Sequence, residues 1–190
     1  MSLGRLISVS LVTTAMLAMV FMIMATPTVS AGDWEVETVW NPAFVEDCEL
    51  QIDSSGTPHI VARGGDWESE YVRYMKWTGS SWDYYDIGLD SGYGLSLALD
   101  SNGRPHVTFV VNNWDSGLFQ NSNLIYAYQS SSGSWASYNV DHDASNWMYT
   151  PKLTLDSNDE AHIAYTIRDA VDSDLYSLKY AHGTDNSWSK

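Results

Sequence analysis

One eleven-residue pattern occurs three times in this chain, and it constrains the fold more than any other feature. The first copy runs from Leu50 to Ile60, with Asp53, Gly56, Pro58 and His59 as its landmarks. The second runs from Leu97 to Val107, with Asp100, Gly103, Pro105 and His106. The third runs from Leu153 to Ile163, with Asp156, Asp159 in the glycine position, and His162. Two further markers keep step with them. Val72-Arg73-Tyr74, Leu124-Ile125-Tyr126 and Leu178-Lys179-Tyr180 align, and a Ser/Gly/Thr/Asn-rich turn and a tryptophan follow each: Trp82, Trp135 and Trp188. Trp34 opens the series. Three markers in one order, about every 50 residues, identify a structural repeat.

Each unit reads as four short strands. The first starts at the tryptophan, as in the period-two alternation of Trp34 to Val39. The second is the Leu-x-Leu/Ile-Asp run, the third starts at the histidine, and the fourth carries the tyrosine. Turn signals fall at the spacing of all-β architecture. A single sheet of this kind cannot bury both faces and must be stacked between neighbours. Ile60, Val107 and Ile163 should point to one face of the third strand, and Val61, Thr108 and Ala164 to the other. Four-stranded units of this length match the blades of β-propellers. The expected architecture is therefore all-β: a partial β-propeller of three four-stranded antiparallel blades, at about 34–81, 82–134 and 135–187. Trp188 then reads as the opening of a fourth unit. Closed propellers need roughly 4–8 blades, so the chain is read as part of a longer propeller or as one that self-associates to complete a ring.

The N-terminus precedes the repeats and has a different character. Arg5 supplies a positive start, Leu6 to Ala25 is uncharged and largely apolar, and Val29-Ser30-Ala31 resembles a cleavage site. Residues 1–31 are read as a secretory signal, which an N-terminal helix would carry. The alternative is an uncleaved membrane anchor at residues 6–25. Either places the repeats across a membrane, secreted or at the cell surface. Cys48 is the only cysteine, so no intramolecular disulfide can form. Its place in an apolar-alternating segment predicts a buried free thiol.

Charge narrows the partners. Nine Lys and Arg against 24 Asp and Glu give a net charge of −15, with no basic stripe to hold a phosphate backbone, so nucleic acid is excluded as a partner. The acidic runs Asp141 to Asn146 and Asp169 to Asp174 admit calcium, although neither has the glycine and terminal glutamate of an EF-hand. No other cofactor is expected, and no metal site is assigned.

The repeat pattern, followed by Lys-Tyr-Ala and Ser-Trp, resembles that of secreted microbial propellers of the sialidase-like and fucose-specific-lectin-like kind. The resemblance covers nearly all of residues 34–190. It departs from the Asp-box of sialidases, because Gly56 and Gly103 lie three residues after their aspartates rather than two. A sialidase-type site would also need an arginine triad, of which only Arg63 and Arg168 lie near comparable strand ends, together with a nucleophilic tyrosine and an acid/base aspartate. No Gly-x-Ser-x-Gly, P-loop or dinucleotide fingerprint is present, and no catalytic residue is assigned.

The repeated residues are explained by the scaffold: the aspartates pin turns, the histidines bond near the turn, and the tryptophans pack. Equivalent histidines on successive blades would lie around a ring rather than converge on one ion. Residues outside the repeat are better ligand-binding candidates. Trp67 with Asp66, Trp114 with Asp115, and Trp147 each set an aromatic ring beside polar groups in an expected loop. Such pairs suit a sugar, whose C–H face lies on the electron-rich ring while its hydroxyls bond the polar groups. The leading expectation is a non-catalytic module for an extracellular glycan or protein ligand. A fragment of a sialidase-like glycoside hydrolase and a purely structural cell-surface repeat are the alternatives.

Overall fold

The structure is a computed structural model that describes residues 35–66, 68–89, 92–172 and 174–190. The expected signal or anchor, Trp34 and Trp67 lie outside them. Thr38–Lys190 forms one compact unit. It contains twelve strands and, among the described residues, no helix. In chain order they are β1 (Phe44–Ile52), β2 (Pro58–Gly65), β3 (Glu70–Trp77), β4 (Trp82–Leu89), β5 (Gly92–Leu99), β6 (Pro105–Asp115), β7 (Leu118–Gln129), β8 (Trp135–Asp143), β9 (Trp147–Leu155), β10 (Ala161–Arg168), β11 (Tyr176–Thr184) and β12 (Ser187–Ser189).

They form three antiparallel four-stranded sheets, β1-β2-β3-β4, β5-β6-β7-β8 and β9-β10-β11-β12. The first strands of successive sheets adjoin, β1 beside β5 and β5 beside β9. Asp47 of β1 accepts the Leu95 N–H of β5 at 2.9 Å, and Ser96 of β5 accepts the Leu153 N–H of β9 at 3.0 Å. Lys152 on β9 reaches Glu49 on β1 at 2.5 Å. The inner strands gather together and the later strands of each sheet run outward. This is a partial β-propeller.

The sheets run one strand out of phase with the sequence units. Each tryptophan strand closes the sheet of its own preceding repeat markers, so the sheets span 44–89, 92–143 and 147–189 rather than beginning at the tryptophans. The cause is the short Thr78–Ser81 turn, and its counterparts, which fold each tryptophan strand back on the tyrosine strand with Trp77 opposite Trp82 and Gln129 opposite Trp135. Trp188 likewise belongs to the edge strand of the third sheet and does not open a fourth. Of the strand expected at Trp34 to Val39, the described residues 35–39 are irregular.

Adjacent sheets bury apolar residues between them. Val61 and Val72 of the first sheet pack with Leu95, Leu97, Val107 and Phe109 of the second. Val110, Leu124 and Val140 of the second pack with Met148, Leu153, Ile163 and Tyr165 of the third. Val61 and Thr108 are fully buried on the opposite face from Val107 and Ile163, as the pattern requires, whereas Ala164 is exposed because no sheet covers that side of the third. The same reason overturns the expectation for Cys48: its thiol is exposed, because it lies with Val45, Leu50 and Ile52 on the uncovered face of β1.

The repeated polar residues form one device per sheet. Asp53 accepts the N–H groups of Ser55 and Thr57, both at 2.9 Å, and Asp100 and Asp156 do the same two and four residues on. The turn needs a positive φ, supplied by Gly56 (84°), Gly103 (73°) and Asp159 (62°), and aspartate is among the few side chains that tolerate it. The histidine then bonds the tyrosine of the neighbouring strand: His59 to Tyr74 at 2.6 Å, His106 to Tyr126 at 2.5 Å, His162 to Tyr180 at 2.6 Å. His59 Nε2 lies 3.3 Å from Asp53 Oδ2. A carboxylate can only accept, so Nε2 carries the proton and the Tyr74 hydroxyl donates to Nδ1. Both ring nitrogens are thus satisfied in the neutral imidazole.

The tyrosines also carry the contact between sheets. Trp135, from the edge strand of the second sheet, meets Tyr74 edge-on at 5.3 Å. Trp188, from the third, meets Tyr126 at 5.0 Å. Each such pair adds about 0.5–1.5 kcal/mol beyond the area it buries.

Removing the Tyr126 hydroxyl strands His106 Nδ1 in the interior, so Tyr126→Phe should cost about 1–3 kcal/mol. Tyr84→Phe, which loses an exposed bond to the Val39 carbonyl, should cost less than about 0.5 kcal/mol. Urea unfolding of the two variants checks the contrast. Burial holds the His59 and His106 imidazoles below their ordinary value of 6.5. The folded state therefore favours the neutral ring, its contribution is complete above pH 6.5, and it is lost as pH falls through and below that value because the unfolded chain takes up the proton first. Stability should decline below pH 6.5, and His106→Gln should flatten that decline in a series of urea melts at stepped pH.

Candidate functional site

Antiparallel topology places the connections at two ends. The Asp-Ser turns and the turns before each tryptophan strand lie at one end, called the lower. The β2–β3, β6–β7 and β10–β11 connections and the entries to β5 and β9 lie at the other. Of the binding candidates read from the sequence, the described ones, Asp66, Trp114, Asp115 and Trp147, fall at the upper end, and Trp67 lies outside the described residues.

There the second and third sheets bring together rings that are far apart in the chain. Ser116 (φ 49°) and Gly117 (φ 80°) make a two-residue turn with both φ positive, the turn that suits a twisted hairpin. It sets Trp114 opposite Phe119 on the paired strands, edge-on at 5.7 Å. Trp147, the first residue of β9, lies 6.1 Å from Trp114 and 5.7 Å from Phe119. In the third sheet, Trp147, Arg168 and Tyr176 stand in one cross-strand row, Arg168 paired with both neighbours. Its guanidinium lies 5.1 Å from the Trp147 ring centre and 6.0 Å from that of Tyr176, an arrangement that the negative ring faces favour. Tyr149 meets Trp147 edge-on at 6.3 Å. Burial raises the Tyr149 phenol above its usual range, opposed by Arg168, and Tyr93 of β5 is close enough to add to the rise. Tyr93 in turn lies under the Arg63 guanidinium at 4.5 Å. An aromatic and arginine band thus crosses all three sheets.

Trp114 is the open platform of this band, 53% exposed beside Leu118 at 68%. Trp147 is half-buried and its indole N–H has no hydrogen-bond partner. A shallow pocket of about 210 Å³ adjoins it, lined by Asn146, Ile167, Asp169, Leu175, Tyr176 and Ser177.

The carboxylates at this end are occupied with holding loops. Asp66 accepts N–H bonds from Glu68 (3.0 Å) and Ser69 (2.8 Å). Asp143 accepts from Ser145 and Asn146, and Asp169 from Val171 and Asp172. Two backbone donors hold Asp169 below the usual carboxylate range. Asp115 is exposed and bonds the Ser116 hydroxyl at 3.1 Å. Arg63 is buried, and although burial disfavours its charge, Glu70 at 2.6 Å and Glu46 hold it protonated. At the lower end Asp156, Glu160 and His162 bring one ligand atom each within 4.8 Å of one another. Asp156 is engaged by the Asn158 and Glu160 N–H groups, and Glu160 by His182 at 2.7 Å.

Of the sequence candidates, Trp114, Asp115 and Trp147 share this site. Asp66 lies on the connection of the first sheet, as a turn-pinning residue. Phe119, Tyr149, Arg168 and Tyr176 are members that the reading of loop aromatics missed. The available signal was position: each lies within two residues of a strand end on the same side of its sheet.

No protein-family profile matches the sequence, and no curated protein matches it. Among solved structures, a polysaccharide lyase of family PL25, an ulvan lyase bound to -[GlcA(1-4)Rha3S]-, superposes with a TM-score of 0.57 at 13% identity. The match takes in 77% of this chain and 43% of the lyase. The Penicillium chrysogenum α-L-arabinanase with arabinobiose gives 0.55 at 10% identity, over 77% of this chain and 48% of that one. The likeness is one of fold. This chain spans less than half the length of either structure. A fucose lectin from Kordia zhangzhouensis aligns more loosely, at 0.45 and 20% identity, over 75% of this chain and 96% of the lectin.

Proposed function

We propose that this chain is a glycan-binding module that acts outside the cell, exported by the segment 1–31, with its binding surface at the upper end of the second and third sheets. The exposed Trp114 ring, held edge-on by Phe119 and at a tilt by Trp147, is the observation that carries the reading. A pyranose presents a flat C–H face that an aromatic face attracts. The stiff edge contacts fix the platform beforehand, so little freedom is lost on binding. Arg168 stands next to Trp147 in the cross-strand row and offers donors of the kind that hydroxyls bond. The two better superpositions are with a polysaccharide lyase and with an α-L-arabinanase holding arabinobiose, which agrees with the reading. Asp66, Asp143 and Asp169 at this end hold loops through backbone donors, which suits a preformed binding surface.

A glycan array probed with the full chain, followed by calorimetric titration of the best oligosaccharide, tests this. Trp114→Ala should weaken binding at least tenfold, about 1.4 kcal/mol, with an unchanged unfolding midpoint. Tyr84→Ala, an exposed aromatic of the first sheet, should leave affinity unchanged. Equal binding by wild type and Trp114→Ala removes the platform from the mechanism.

A further inference from the structure

The two ends of the sheet stack carry complementary halves of a contact that the chain makes twice internally. At each internal seam, a tyrosine and its neighbour two residues earlier form the receiving face. Val72 and Tyr74 are both fully buried, and Leu124 and Tyr126 are exposed by no more than 2%. The same positions in the third sheet, Leu178 and Tyr180, are 77% and 51% exposed. The inserting face is built from the leucine of each inner strand and the tryptophan of each edge strand. Leu97 and Leu153 are 2% and 9% exposed, but Leu50 is 55% exposed, as is Ile52. Trp82 occupies in the first sheet the position of Trp135 and Trp188, on the same face as Leu50, and touches Trp77 at 5.5 Å.

The receiving face of the third sheet has a socket. Leu153, Thr154, His162, Ala164, Tyr180 and Lys152 line a mostly apolar depression of about 270 Å³. Ala164 holds the repeat position of Val61, the residue against which Leu97 packs at the first seam. At the inserting face, Trp40 lies against Arg73 and Tyr71 and covers the upper half. In the lower half Met75 is buried, but Leu50 and Ile52 remain exposed, and the lower half is where the internal Trp–Tyr contacts fall.

We propose that two copies of this chain associate head to tail. The first sheet of one docks on the third sheet of the other, Leu50 enters the socket beside Ala164, and Trp82 meets Tyr180 edge-on. Each seam pairs an inserting face with a receiving face, and closing the pair relates the copies by a two-fold, three sheet steps, so that the same seam is made twice. Two copies bring six sheets together, within the range that closes a propeller. The occupant is a second copy because the chain itself carries both complementary faces, matched position by position to seams it already forms.

Sedimentation equilibrium of the full chain should give twice the monomer mass. Leu178→Asp, which blocks only the receiving face, and Leu50→Asp, which blocks only the inserting face, should each weaken self-association at least tenfold while circular dichroism stays unchanged. Ile52→Asp replaces Leu50→Asp if that variant does not fold. An equimolar mixture of the two blocked variants should associate again, because each keeps the face that the other lacks. A monomer at all concentrations overturns the proposal. So does association that survives both substitutions, which would belong to another surface such as residues 6–25, and so does a mixture that stays monomeric.

Discussion

The structure depends on a buried tyrosine that serves two directions at once. Its hydroxyl is bonded within its own sheet to the histidine, and through the histidine the first sheet reaches the aspartate that pins the turn. Its ring is met from the next sheet by the edge of a tryptophan. A phenol is suited to this because one end is polar and the rest is apolar surface. The arrangement couples turn geometry to sheet stacking. A turn that failed to hold the aspartate would release the histidine, and the tyrosine would then keep an unpaired hydroxyl in the interior. Burial raises the Tyr74 and Tyr126 phenols well above their ordinary range, so the hydroxyls stay protonated and remain donors.

Much of this was legible because the repeat writes it three times. Leu50, Leu97 and Leu153 occupy equivalent places on their inner strands, and the positive φ at Asp159 is the one its aligned glycines adopt. The phase of the sheets was not legible. A strand that begins at a tryptophan pairs with the strand before it or with the strand after it, and the alternation pattern is the same in both cases. Loop length decides: four residues separate Trp77 from Trp82, a hairpin-sized connection, whereas the segment ahead of Phe44 is irregular. Cys48 was misread for a related reason. Its alternation marks a face correctly, but whether another sheet covers that face depends on the position of the repeat within the stack, which no local pattern encodes.

The candidate site shows the same division. Trp114 and Trp147 stand out in the sequence because the repeat does not account for them. Their meeting does not, since the hairpin tip of one sheet touches the entry strand of the next only after stacking. Phe119 becomes visible once the Ser116-Gly117 turn is recognised, because a two-residue turn fixes its pairing with Trp114. Arg168 and Tyr176 require the register of the third sheet, and the long connection of residues 169–175 hides it.

The two ends of the sheets therefore differ in what their side chains are free to do. At the lower end the repeated Asp accepts backbone donors and the repeated His bonds the repeated Tyr, and in the first two sheets replacing the His or the Tyr unbalances a buried group. Such positions must stay nearly constant from sheet to sheet, and constancy leaves no room to shape a ligand surface. At the upper end the connections differ in length and composition from sheet to sheet: four residues at 66–69, two at 116–117, seven at 169–175. Nothing in the stacking requires their rings to be alike. Variation there costs the scaffold little, so that end is where a propeller of this kind can gather unlike groups, a bare indole, a guanidinium row and a shallow polar pocket, around one ligand. A binding surface at the upper end and a docking seam concentrated in the lower half are then compatible, because the rigid half holds the stack and the variable half carries the chemistry.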